Sequence, residues 1–317
     1  MKRHQQILAG VLILQIILGV ITFWPKAAAT GDGEVVFADL KVEDITALTI
    51  TDEQVASIVM RKVGDAWVLP DAGDYPVQAG KITPILEKLT KLNTASLVTR
   101  TEASHKQLQV ANDDFVRRVE FETADGKTHM FYLGSAPRYT ATHFRVVGQT
   151  ETYLTTEMST WELYTAPASW VDPVYVKLDA TTLTEIVLEN ANGTFTLVKS
   201  GDAWTLADLA GDEIISAGKV NDVVSKATSV TMMRPLGVTE EASYGLAAPT
   251  AVVTLKNADG GVYTLHVGAK FDGTNYAVKS SESPYYVAVT EYNVTSLVEN
   301  TRAAFMQEPT PTPAPQP

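Results

Sequence analysis

Residues 64–67 read Gly64-Asp65-Ala66-Trp67, and residues 201–204 read Gly201-Asp202-Ala203-Trp204. Three more matches keep the same order. Gly80-Lys81-Ile82 returns as Gly218-Lys219-Val220, Ala124-Asp125-Gly126 as Ala258-Asp259-Gly260, and Leu133-Gly134 as Val267-Gly268. Unrelated matches would not stay collinear, so the chain reads as one unit written twice. The period, about 135 residues, is far longer than that of solenoids and propellers. Each copy is long enough to fold as a domain. The expected boundaries are 42–172 for the first copy and 173–306 for the second, with a short link through Trp170-Val171-Asp172-Pro173.

Each copy follows the same plan. Residues 45–50 and 56–61 are rich in β-branched side chains and read as strands, with Thr51-Asp52-Glu53 as the turn. The matching pair, 183–188 and 194–198, is joined through Asn190-Ala191-Asn192-Gly193, a strong hairpin signal. Trp67 and Trp204 follow on a third short strand. Next, Ile82, Ile85, Leu86 and Leu89 fall at helical spacing and draw one apolar stripe. Val220, Val223, Val224 and Ala227 repeat that stripe residue for residue, and Pro84 is placed in the first turn, where its missing N–H costs little.

More strands close the unit. Phe115, Val119 and Phe121 alternate with Val116, Arg118 and Glu120, and the 123–126 turn leads into 129–133. Strands near 143–147 and 153–155 follow, and a short amphipathic helix at 160–164 ends the copy. The second copy repeats the plan through Val253 and Leu255, the 258–261 turn and 263–267. The fold class expected is α+β: two tandem homologous domains of mainly antiparallel sheet, each with one packing helix.

Ahead of the copies, Lys2 and Arg3 precede an uncharged run at residues 7–24. As a helix that run is about 27 Å long, close to the apolar thickness of a bilayer. Trp24 suits the interface, and Pro25 and Lys26 end the helix. A cleaved signal peptide, with Ala27-Ala28-Ala29 as its cleavage site, has a shorter apolar core. The length therefore favours a retained transmembrane anchor. Lys2 and Arg3 put residues 1–6 in the cytoplasm and the bulk of the chain outside. Residues 25–41 form a linker, in which Gly31-Asp32-Gly33 is a flexible tether. The tail, 307–317, is Pro-rich and reads as an extended, disordered stub.

The 317 residues carry a formal net charge of −12, which argues against a nucleic-acid surface. An acidic exterior also stands off anionic lipid headgroups. No cysteine is present, which excludes disulfides and thiol chemistry. Of the five histidines, His4 precedes the apolar run, and His105, His129, His143 and His266 have no neighbours at metal-ligand spacing. Asp113-Asp114 and Glu240-Glu241 read as solvated loop charges, because adjacent strand residues face opposite ways. No nucleophile elbow, zinc-protease motif or glycine-rich phosphate loop is present. Asn192-Gly193-Thr194 and Asn293-Val294-Thr295 fit the glycosylation triplet, a weak signal. Trp67 and Trp204 read as core side chains rather than a carbohydrate platform. Tyr132, Tyr285 and Tyr286 fit either role. No catalytic, cofactor-binding or metal-binding residue is assigned.

The segment Tyr244-Gly245-Leu246, Pro249, Val252-Val253-Thr254-Leu255, Asp259-Gly260 and Tyr263-Thr264-Leu265-His266-Val267-Gly268 resembles the DUF4340 domain. Tyr276-Ala277-Val278-Lys279 and Pro284-Tyr285-Tyr286-Val287 continue the likeness. The first copy is the weaker match, with His105-Lys106-Gln107-Leu108 where Tyr-Gly-Leu is expected and Asn112 in place of the proline. The resemblance implies a bacterial envelope protein of unknown function, of a kind associated with ABC-type transporters of the gliding-motility type. It supplies no catalytic residues.

The function expected is therefore a membrane-anchored, extracytoplasmic, non-catalytic binding or scaffold protein. It uses no cofactor, and its partners are the membrane and envelope transporter subunits. The alternatives are a cell-wall glycan-binding module, with exposed tryptophans on one face of both copies, and an envelope hydrolase with an unfamiliar site.

Overall fold

A computed structural model describes residues 33–307 together with Gln15. The expected cytoplasmic flank at 1–6, the membrane helix at 7–24, the linker before residue 33 and the tail from 308 lie outside the described residues, Gln15 apart. Among the described residues no helix is long and apolar enough to cross a membrane.

From residue 33 on, the described residues form mostly antiparallel sheet with three helices, an α+β architecture. Nine strands form the first sheet: β1 (Ile45–Asp52), β2 (Ser57–Val63), β3 (Ala66–Leu69), β4 (Tyr75–Pro76), β5 (Leu97–Thr99), β6 (Arg117–Thr123), β7 (Thr128–Leu133), β8 (Thr142–Val146) and β9 (Thr152–Thr155). Two short strands, β10 (Val174–Lys177) and β14 (Ser229–Thr231), pair with each other. The remaining strands form the second sheet: β11 (Leu183–Asn190), β12 (Gly193–Ser200), β13 (Ala203–Leu206), β15 (Arg234–Gly237), β16 (Ala251–Asn257), β17 (Val262–Lys270), β18 (Asn275–Ser280) and β19 (Tyr286–Thr290).

The first sheet runs β4-β3-β2-β1-β6-β7-β8-β9-β5 and the second β13-β12-β11-β16-β17-β18-β19-β15. With β4 set aside, the two orders correspond strand for strand. Both start from a three-strand meander, step from its first strand to a second meander, and end on a strand drawn from the segment between the meanders.

The hairpins show why the strands reach further than their β-branched runs. Thr51 and Asp52 belong to β1, not to the turn expected at 51–53. The Asp52 carboxylate accepts the N–H groups of Gln54 and Ala56, at 3.0 and 2.9 Å. The turn is thus displaced toward Val55, which takes φ 64°. In the second sheet Asn190 lies opposite Gly193 across a two-residue turn. The Asn190 side chain accepts the Asn192 N–H at 2.8 Å, and Gly193 has φ 136°.

Both expected helical stripes are buried. Ile82, Ile85, Leu86 and Leu89 lie on the helix Ala79–Leu89, and Val220, Val223, Val224 and Ala227 on the helix Ala217–Thr228. The second helix packs against β13, β14 and the helix Glu291–Val298. Pro84 is not in the first turn. The first helix starts at Ala79, so Pro84 sits inside it and leaves the Gly80 carbonyl without its usual donor. Gly80 is exposed, which lets water take that place. The helix expected at 160–164 is a single 3₁₀ turn, Thr160–Glu162. Further along, Pro167 opens a separate 3₁₀ turn and holds Ala166 extended, at φ −80° and ψ 126°.

By contact density the described chain forms two compact units. One contains the residues up to Lys41, Glu87–Arg118 and Met130–Glu162; the other contains Val42–Leu86, Val119–His129 and the residues from Leu163. The second unit therefore includes β1–β4 as well as the whole second sheet. Within it the Tyr75 and Tyr285 rings are 4.6 Å apart, and the Tyr285 hydroxyl donates to the Asp74 carbonyl at 3.1 Å. Thr165 donates to Asp52 at 2.8 Å.

Candidate functional site

Two cavities stand at corresponding places in the two sheets. In the first unit a cavity of about 390 Å³ is lined by Glu102, His105, Lys106, Asn112, Arg145 and Gln149, among others. In the second unit a cavity of about 200 Å³ is lined by Glu240, Leu246, His266, Lys279, Ser280 and Tyr286, among others.

The correspondence holds at residue level. Arg145 on β8 lies opposite Tyr132 on β7, and Lys279 on β18 lies opposite His266 on β17. One residue further along β7 and β17, Leu133-Gly134 matches Val267-Gly268. Each sheet thus supplies a cation from the same register position, next to its cavity.

A backbone device beside each cavity also recurs. A side chain at Gly134 would fall on the Leu108 carbonyl oxygen, and one at Gly268 on the Tyr244 carbonyl oxygen. Only glycine allows so close an approach. The next residue is left-handed in both places: Gln109 at φ 55° and Gly245 at φ 64°. The structural counterpart of Tyr244-Gly245-Leu246 is therefore Leu108-Gln109-Val110, not the stretch beginning at His105. Sequence alone hides this, because glutamine stands where the conformation favours glycine.

Arg145 is only 4% exposed. Its Nε donates to the Val110 carbonyl at 2.7 Å, its Nη1 to the Gln149 carbonyl at 3.3 Å, and its Nη2 to Asn112 Oδ1 at 2.7 Å. Its Cζ stands 4.9 Å from the Tyr132 ring centroid. Burial depresses its pKa, with Tyr132 and Glu102 acting in the opposite direction. Lys279 is half-buried, donates to the carbonyls of Ser280 and Ser283, and also has its pKa lowered by burial. Both cations lie beside rings and donate to uncharged oxygens.

The residues singled out from sequence are distributed around these features. His105 is 5% exposed, walls the first cavity, and donates from Nε2 to the Thr150 carbonyl at 2.8 Å. Asp113 lies on the same cavity and pairs with Lys106 at 2.8 Å; that contact lowers the Asp113 pKa. Asp114 is exposed. His143 is 8% exposed, donates from Nδ1 to the Ser135 carbonyl at 2.8 Å, and has its pKa lowered by burial. His129 stacks on Phe121 with centroids 4.9 Å apart. Glu240 accepts from the Tyr286 hydroxyl at 3.4 Å, and burial followed by Glu240 raises the Tyr286 pKa. Glu241 accepts from Ser243 at 3.4 Å, outside the second cavity.

Trp204 is buried and Trp67 half-buried. The more exposed tryptophan is Trp161, at 53%, stacked beside Tyr139 at 81%. Among the described residues no group of three His, Asp or Glu side chains is placed to hold a metal ion. Sequence reading missed Arg145. The signal was available: the offset that carries Leu133-Gly134 onto Val267-Gly268 also carries Arg145 onto Lys279, cation onto cation.

A family model for the domain of unknown function DUF4340 matches residues 67–227, about half of the chain, and the chain belongs to that family. The match begins at Trp67 on β3 and ends at Ala227 in the helix Ala217–Thr228. It includes the whole Arg145 cavity but stops before the 244–287 segment on which the resemblance was read. No curated protein and no solved structure matches the chain.

Proposed function

We propose that the chain is a membrane-anchored binding or scaffold protein without catalytic activity. Residues 7–24 are its retained anchor, residues 1–6 are cytoplasmic, and the remainder is extracytoplasmic. Residues 42–172 and 173–306 are two copies of one ancestral α+β unit. The observation that carries this reading is the repetition: one strand order and one cation-bearing register position, each beside a cavity, occur twice. Binding surfaces are readily multiplied by duplication, and the acidic exterior keeps the tethered units off the lipid. The family resemblance supports an ABC-type envelope transporter as the partner, with this chain as an accessory subunit.

Crosslinking in native membranes followed by capture of the full chain tests this. Reproducible recovery of a transporter permease or ATPase is expected. Recovery of none, or release of the chain from membranes by alkaline carbonate, contradicts it. A glycan-binding module is the second reading, favoured by the exposed Tyr139–Trp161 pair, since flat aromatic faces stack on sugar rings. Buried Trp204 gives that reading no support in the second copy.

A further inference from the structure

The occupant of the first cavity can be named by chemistry, and this step rests on reading the chain as a binding protein. A buried guanidinium ordinarily meets a carboxylate, because an uncompensated buried charge is costly. Arg61, Arg234 and Arg302 reach Asp74, Asp272 and the Asp208–Glu213 pair, yet their side chains are 54%, 44% and 37% exposed. Arg145 is far more buried, and its three hydrogen bonds go to two carbonyls and an amide oxygen. A guanidinium carries five N–H donors in a planar fork. Two of those on Arg145 remain, and the side chain lines the cavity. Each neutral contact fixes the fork, so the group is held in place before any ligand arrives.

We propose that Arg145 binds the carboxylate of a small monocarboxylic ligand in this cavity. The fork matches a planar carboxylate in charge and geometry. The exposed lining residues set the limit on charge. Glu102 is exposed and close enough to act on Arg145, and the charge of Lys106 is already balanced by Asp113. Glu102 opposes any anion, but a dianion such as phosphate more strongly than a single carboxylate, whose one charge Arg145 offsets. The cavity volume lies at the small end of the range for small-molecule sites.

The test is calorimetric titration of the full chain in detergent with N-acetyl-L-alanine, N-acetyl-L-alaninamide and inorganic phosphate. The acid should bind about tenfold or more tightly than the amide or phosphate, because only the acid carries one planar anion. Arg145→Lys should weaken the acid about tenfold, since an ammonium cannot reproduce the fork. Glu102→Gln alters an exposed residue and leaves the fold intact; it should tighten the acid about threefold by removing a like charge. Equal binding of acid and amide overturns the proposal. So does tighter binding of phosphate, indifference to Glu102→Gln, or no heat from the acid at millimolar concentration. A failure here would leave recovery of transporter subunits from membranes unaffected, so the two proposals fail separately.

Discussion

The β7–β8 and β17–β18 hairpins are built to the same register, yet one ends in a buried guanidinium beside Tyr132 and the other in a half-buried ammonium beside His266. The difference follows from the side-chain chemistry. A guanidinium is planar and weakly hydrated, so it can be buried with carbonyl partners. An ammonium holds water more strongly and stays nearer the surface. The packing helices differ in parallel. Ile82, Ile85, Leu86 and Leu89 face the core in the first, while Val220, Val223, Val224 and Ala227 fill the matching positions in the second. One strand order thus accommodates two volumes and two cations, and each difference can be tested by moving a residue to the corresponding position.

The helix stripe offers the largest effect. Leu89→Ala should cost about 2–5 kcal/mol in denaturant unfolding, because it empties a fully buried site. Its counterpart Ala227→Leu should cost about 1–3 kcal/mol by overpacking. A stabilised Ala227→Leu would show that the two stripes do not face equivalent spaces.

The glycine contacts come next. Gly134→Ala and Gly268→Ala should each lose about 1–3 kcal/mol, since the new methyl meets a backbone oxygen that cannot swing away. Comparable losses would confirm that the Leu108 and Tyr244 carbonyls are equivalent features, and a neutral result at either glycine would separate them. The neighbouring left-handed residues predict opposite signs. Gln109→Gly should gain about 1 kcal/mol by relieving a conformation that disfavours side chains. Gly245→Gln should lose stability, because Ala269 Cβ lies 2.7 Å from where its Cβ would be placed.

The smallest effect is one of pH. Burial lowers the His143 pKa in the folded chain, so the unfolded chain takes up that proton first as pH falls. The contribution is intact above about pH 6.5, the unfolded value, and is lost as pH drops through the lower folded value. His143→Gln should flatten this part of the melting-temperature profile, whereas an unchanged slope would assign it to other groups.

The sequence made the antiparallel meanders and both helical stripes legible, because β-branched alternation and 3.6-residue spacing mark strands and helices directly. It misplaced features set by single side chains. Asp52 extended β1 by capping the turn beyond it, and the helix expected at 160–164 is a single 3₁₀ turn, Thr160–Glu162. The pairing of Tyr244-Gly245-Leu246 with Leu108-Gln109-Val110 was hidden because positive φ leaves a sequence mark only when glycine supplies it. Arg145 was illegible for a related reason. Its place on a strand was readable, but its burial depends on residues 110–112 folding back over β8, a contact about 35 residues away along the chain.

The most direct test of the site is Nε–Hε NMR of the full chain labelled with ¹⁵N-arginine, recorded as N-acetyl-L-alanine is added. A resonance absent from Arg145→Lys and shifted in a saturable way by the acid, but not by its amide, is the predicted result. An Arg145 resonance that stays fixed throughout the titration would contradict the account, leaving this guanidinium as a bracket for its own loops.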